Sequence, residues 1–290
     1  EFLQFVQGKL DFVSGLDNSY KDEIVSTKGK LQEKYKNQVN LITSPYLNTE
    51  YIGFYLGKEN SPINSKKLRQ AINYGFDRVN MMKYLRNNIG YPANNGFIPF
   101  GLNQKIKTKG FDFQPKKAKK LIEEYKKESG QSSIELELST DANYLDIVEF
   151  IQRELLEVGI TIIINIMPPS SLRQAKSNGK LEMFRASWIA DYPDAENYLS
   201  LFYSKNKAPN GPNYTHFDNP KYDQKYIKTY IEQSEIKRNK VYSELDSLIM
   251  DEAPIVPLYY DKIMRFSKKN VYGLETNAIN QLNLKRVYKK

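Results

Sequence analysis

The stretch IELELSTDANYLDIVEFIQRELLEVGITIIINI, residues 134–166, decides the fold. Residues 134–138 read as a strand. Asp141 then caps a helix that carries Leu145, Val148, Ile151, Leu155 and Val158 on one face, Gly159 ends it, and residues 160–166 read as a fully buried strand. This is a βαβ unit. Its crossover length suits two parallel strands with the helix packed across them, and right-handed closure follows from strand twist.

Outward from that unit, residues 172–176 give a short helix, and 183–189 a further buried strand of the same sheet, which Pro193 stops. Asp191 therefore stands at a strand end, three residues after Trp188, the only tryptophan of the chain. In α/β sheets the crevice beyond strand ends is the usual ligand position, so an aspartate beside an indole there can anchor a cationic group. A second reading stands beside it, because a strand-end Trp also suits a core and Asp-Tyr-Pro-Asp is a good turn by itself.

Towards the N-terminus, residues 2–9 place Phe2, Phe5 and Val6 on one helical face, and 10–13 read as a short strand. With no cap or approach before them, a preceding segment is expected. Residues 38–42 and 51–56 read as two strands parted by a turn at Thr43-Ser44-Pro45. Asn64 or Ser65 caps a helix with Leu68, Ala71, Ile72 and Gly75 inward. A short helix is expected around 81–85, a loop over 94–110, and a helix from Pro115 to the stop at Gly130. Towards the C-terminus, helices are expected over 197–203, 222–232 and 236–250, a polar loop over 205–213, and strands over 255–260, 263–266 and 282–287. No internal repeat is visible.

At 290 residues and 40% hydrophobic content the chain can bury a substantial core and is expected to be globular. Its net charge of +9 would suit an acidic partner if clustered. The lysines are spread thinly, with Lys116, Lys117, Lys119 and Lys120 on the polar side of a helix, so nucleic acid is not the expected partner. Cysteine is absent, which removes disulfides, thiolate zinc sites and thiol nucleophiles. A single histidine, His216, cannot build a triad or a two-His metal site. Neither common glycine-rich phosphate cradle occurs. Paired carboxylates such as Asp191 with Asp194, or Asp251 with Glu252, keep a two-carboxylate hydrolase as a minority reading. No run approaches the length of a membrane span, and residues 1–4 lack signal-peptide character. The 22 tyrosines offer flat, hydroxyl-bearing surface of the kind binding sites use.

Several stretches together resemble the bacterial extracellular solute-binding proteins of family 5, which deliver oligopeptides and dipeptides to ABC importers. They are GKLDF (8–12), KLRQAINYGFDR (67–78), PKKAKKLI (115–122), WIADYPD (188–194), FDNPKYD (217–223) and APIVPL (253–258), in the family's order and spacing. The resemblance implies an α/β, periplasmic-binding-protein-like fold of the type II clamshell kind, with one lobe largely complete and the other only partly present. It assigns residues 1–48 to a remnant of the first lobe, 49–258 to the second, and 259–290 to a return to the first. Hinge-crossing strands would lie at about 51–56 and 255–260. Tyr55 departs from the family, which commonly has Asn there.

Carried over residue by residue, Asp191 matches the family's partner of a peptide α-ammonium, Trp188 the aromatic of the same motif, and Arg185 a basic residue that can meet the peptide's carboxylate end. The main chain of Ser187 to Ile189 would pair with an extended peptide. The resemblance further implies no catalysis, no cofactor and no metal. It implies a permease partner, a monomer, a periplasmic or cell-envelope location, and membrane association through an upstream lipid anchor at most. Other members take nickel chelates, oligosaccharides, haem or opines, and a regulator carrying such a domain for ligand sensing is a further alternative. Residues 1–290 alone are expected to bind peptide weakly or not at all, because one wall of the cleft would be missing.

Overall fold

The computed structural model describes residues 1–15, 20–102, 106 and 108–290. In chain order the helices are α1 (Phe2–Val6), α2 (Lys21–Ile24), α3 (Lys66–Tyr74), α4 (Arg78–Leu85), α5 (Pro115–Ser129), α6 (Leu145–Glu157), α7 (Pro169–Ser177), α8 (Glu196–Leu199), α9 (Pro220–Ile231) and α10 (Glu235–Glu252). The strands are β1 (Phe12–Ser14), β2 (Val39–Phe54), β3 (Tyr91–Pro92), β4 (Glu135–Thr140), β5 (Thr161–Ile166), β6 (Met183–Ile189), β7 (Ile255–Lys268), β8 (Val271–Tyr272) and β9 (Tyr288–Lys289). One mixed sheet runs β1-β7-β2-β6-β4-β5, with β3 also on β7; β8 and β9 pair separately. The fold is α/β.

The βαβ unit is present as the sequence implies. β4 and β5 are parallel, from Glu135↔Thr161 to Thr140↔Ile166, and α6 crosses between them. Asp141 caps a 3-10 turn, its Oδ1 accepting the Asn143 N–H at 3.0 Å, and that turn leads into α6. β5 is not fully buried. It is the outer strand of the sheet, with Ile163 and Ile166 about half exposed, because an all-apolar run says nothing about which face a helix covers.

Two expected breaks are absent. β2 runs continuously through Thr43, Ser44 and Pro45, and β7 joins the expected 255–260 and 263–266 strands into one. The two long strands pair antiparallel along their length, and Pro45 is accommodated opposite Lys262 where the register shifts before Thr49. Proline lacks a donor, and a bulge is where a strand tolerates it. The expected 282–287 strand is irregular, and only Tyr288–Lys289 pairs. The expected 94–110 loop lies partly outside the described residues, and the rest of it is irregular.

Side-chain alternation splits the sheet into two packed faces. Ile52, Phe54 and Met183 join one core with α3, α5 and α6, while Tyr51, Phe184 and Ala186 join another with α8, α9 and α10. A third core collects Phe2, Phe5, Val39 and Phe266 near β1. The KLRQAINYGFDR segment fastens α3 to the rest through buried polar struts. Arg69 donates to the carbonyls of Ile63, Asn64, Glu252 and Ala253, Asn73 to Ile255 O, and Arg78 to Pro257 O and to Asn73. The bonds to Glu252, Ala253, Ile255 and Pro257 satisfy carbonyls at the end of α10 and the start of β7 that would otherwise be orphaned by burial.

Candidate functional site

β6 supplies the frame of the site. It pairs with β2 from Asn48↔Ile189 to Phe54↔Met183, the Ala190 N–H donates to Leu47 O at 2.9 Å, and the Tyr55 N–H to Glu182 O at 3.0 Å. Antiparallel pairing alternates, so the even-numbered residues of β6 turn their main-chain groups to β2, and Ser187 and Ile189 turn theirs to the opposite edge. β4 pairs with that edge only at Met183 and Phe184. Among the described residues no strand covers it at Ser187 and Ile189, and Ile189 is half exposed.

Beyond β6 the chain turns, and one buried side chain fixes the turn. Asn197, at the start of α8, uses a single Oδ1 to accept the indole N–H of Trp188 at 2.8 Å and the main-chain N–H of Asp191 at 3.2 Å. Trp188 packs against the core of α8 to α10, and Asp191 itself is exposed at the strand end. Asn197 carried no signal in the sequence, since nothing distinguishes it from the other asparagines near a helix start.

Arg185 lies on the face of β6 that also bears Ser187, and its guanidinium is engaged. Nη2 donates to Glu50 at 2.5 Å, Nη1 lies 3.7 Å from Asp141, and Cζ sits 3.2 Å from the centre of the Tyr144 ring. Nε is buried with no hydrogen-bond partner. Glu50, fully buried on β2, also accepts from Asn48 Nδ2 at 3.1 Å, and the same Nδ2 lies 3.3 Å from Asp261. Burial pushes the Glu50 carboxyl above the usual carboxylate range, against the pull of Arg185 and the Asn48 amide. Burial raises Asp261 as well, against hydrogen bonds from the Lys262 N–H and Asn48. A lone Glu directly before the run Tyr51 to Phe54, within a strand, was the signal that could have flagged this cluster.

Asp261 and Tyr144 form part of the wall of a cleft of about 810 Å³, which Arg86, Asp146, Tyr259 and Lys262 also line. Arg86 is matched there by a bidentate pair with Asp146, at 2.7 and 3.2 Å. Among the described residues no group of three or more His, Cys, Asp or Glu is arranged to hold a metal ion. His216 is engaged, its Nε2 2.8 Å from Ala208 O and its ring edge-on to Tyr55. Gly179 makes room for Tyr55, since a Cβ there would come within 2.5 Å of the ring.

The model for bacterial extracellular solute-binding proteins, family 5 Middle, matches residues 1–210. The chain belongs to this family. Among curated proteins, the glutathione-binding protein GsiB of Escherichia coli strain K12 is 26% identical over 250 residues, covering 84% of this chain and 48% of that protein. The family's fold is confirmed by solved structures. DppA from Helicobacter pylori, in complex with the peptide STSA, superposes with a TM-score of 0.81 at 23% identity, over 99% of this chain and 54% of that one. The substrate-binding domain of an oligopeptide ABC transporter from Bacillus anthracis gives 0.80 at 23%, over 99% and 56%. The chain thus spans about half the length of the solute-binding proteins it matches.

Proposed function

We propose that the protein carrying this chain is the substrate-binding component of an ABC importer, holding short peptides between two lobes and passing them to a membrane permease. The observation that carries the reading is the open edge of β6 at Ser187 and Ile189, ending at the exposed Asp191 whose main chain Asn197 holds. An extended peptide can add to that edge by main-chain pairing, which is indifferent to sequence, and Asp191 then meets its α-ammonium. Trp188 and Arg185 lie on the same strand, Trp188 bonded to Asn197 of the turn and Arg185, held by Glu50, supplying positive charge for the peptide's carboxylate end. A charge-assisted bond in a closed, dry cleft is worth ~1.5–3 kcal/mol.

In this reading residues 1–48 and 259–290 belong to one lobe and 49–258 to the other, and β2 and β7 cross between them near 51–56 and 255–260. The register shift between Glu50 and Tyr51, where the crossing starts, gives it a natural place to bend. The protein works outside the cytoplasmic membrane, as a monomer and without catalysis.

Calorimetry tests the reading, using the protein with free and N-acetylated tri- and tetrapeptides and with glutathione, the ligand named for the K12 relative. Acetylation and Asp191→Asn are each expected to weaken binding by about tenfold or more. Equal affinity for free and acetylated peptides, or no loss in Asp191→Asn, overturns the assignment of Asp191. Absence of binding by every peptide overturns the function.

A further inference from the structure

The buried polar cluster beside β6 is unbalanced. Glu50, Asp141 and Asp261 supply three carboxylates and Arg185 is the guanidinium among them. Of the other cations at the cleft, Arg86 is matched by Asp146, Lys21 is paired with Asp22, and Lys262 has its ammonium 5.9 Å from the centre of the Tyr91 ring. Two of the three, Glu50 and Asp261, are tied to one amide. Asn48 is almost wholly buried and its Nδ2 donates to both, leaving its Oδ1 buried with no hydrogen-bond partner. A buried acceptor without a donor is costly, and so is an excess of buried anions; one cation relieves both. The carboxylates do not form a metal-binding group. Their spread around Tyr144, which lines the cleft and already holds the Arg185 guanidinium on its ring, suits an organic cation that an aromatic side chain also attracts.

We propose that this cluster is a subsite for a basic side chain of the bound ligand, with Asp261 and Asn48 Oδ1 as its contacts and Glu50 and Asp141 as the field behind them. The inference rests on the peptide reading above and names the class of peptide: one that carries lysine or arginine. The geometry of the sheet supports a long side chain. A peptide strand added to the open edge of β6 lies two strand spacings from β2, about 10 Å. Glu50 projects from β2 directly opposite Ser187 on the shared face. A lysine or arginine stem covers most of that distance and a short side chain does not, and Asp261, on β7 beyond β2, reaches back to within 3.3 Å of Asn48 Nδ2. Burial holds the carboxyls of Glu50 and Asp261 above their usual range in the unliganded protein, so an arriving cation also favours their ionised forms.

The test is a matched series of peptides with free N-termini, identical except for one residue that is lysine, arginine, norleucine or glutamate, titrated into the protein by calorimetry. The basic members are expected to bind about tenfold or more tighter than the norleucine peptide, with glutamate weakest. Asp261→Asn, close in shape to the native side chain, and Glu50→Gln should each bring the lysine-to-norleucine ratio towards one, with folding checked by circular dichroism. If norleucine and lysine peptides bind equally, Asn48 Oδ1 is a water site only and this proposal falls while peptide binding stands. If no member binds, the peptide reading falls and takes the subsite with it. A preference that survives in both variants also overturns the subsite.

Discussion

Asn197 shows how much can hang on one amide oxygen. It holds the indole of Trp188 and the main chain of Asp191 together, so it sets where the exposed carboxylate stands without touching a ligand. Asn197→Ala leaves two donors unmet. We expect a loss of ~1–3 kcal/mol in urea unfolding, together with weaker peptide binding that Asn197→Asp partly restores, since a carboxylate can accept the same bonds. An unchanged affinity in the alanine variant would mean that Asp191 is positioned by something else. Asp246 makes a different residue-scale case. Its carboxylate on α10 accepts the Phe97 N–H at 2.7 Å, and Gly96 packs so closely that a Cβ there would overlap it. Burial pushes this carboxyl up to about 6, against the hydrogen bond from the Phe97 N–H. The folded state therefore keeps the proton more firmly than the unfolded chain, whose reference value is 3.8. Its contribution to stability is complete below the lower value and is lost as pH rises through about 6, by up to ~3 kcal/mol. Across pH 4 to 7, unfolding measurements on Asp246→Asn should show the variant gaining on the native protein; parallel curves would refute the shift.

At the scale of elements, the long pair β2 and β7 decides what the other segments can do. Gly53 on β2 faces the Phe184 ring of β6, and a Cβ at that position would approach the ring to 2.4 Å. Phe184 is buried in the core against α8 to α10 and has little room to withdraw. Gly53→Ala should therefore cost ~1–3 kcal/mol through overpacking at the β2–β6 contact, measured by chemical denaturation. A neutral or stabilising effect would show that the two strands separate easily. The struts from Arg69, Asn73 and Arg78 belong to the same scale. The KLRQAINYGFDR motif binds carbonyls of α10 and β7, and its arginines satisfy buried backbone where a lysine could not form the same fork.

For the molecule as a whole, a ligand that binds only the folded form must stabilise it by mass action. A free peptide at 100 times its dissociation constant should add ~2.7 kcal/mol to unfolding stability, and its N-acetylated form, if tenfold weaker, about half of that at the same concentration. Thermal melts with both forms read this directly, and equal midpoint shifts would contradict a site that depends on the ammonium.

The βαβ unit, the helices from α3 to α10 and the strand ending before Asp191 were legible because local periodicity and capping residues such as Ser65, Pro115 and Asn219 act over a few positions. The ordered motifs of the sequence carried the family. What the sequence could not give was anything set by pairing across large separations. The joining of β2 through Pro45 depends on a partner strand more than 200 residues away, and the exposure of β5 on the strand's place at the sheet edge. The same holds for the site. Trp188 and Asp191 stood out by type and spacing and Arg185 through the family resemblance, whereas Glu50, Asn48, Asp141 and Asp261 come together only because β2, β4 and β7 bring distant residues into one cluster, where the missing counter-charge has physical meaning.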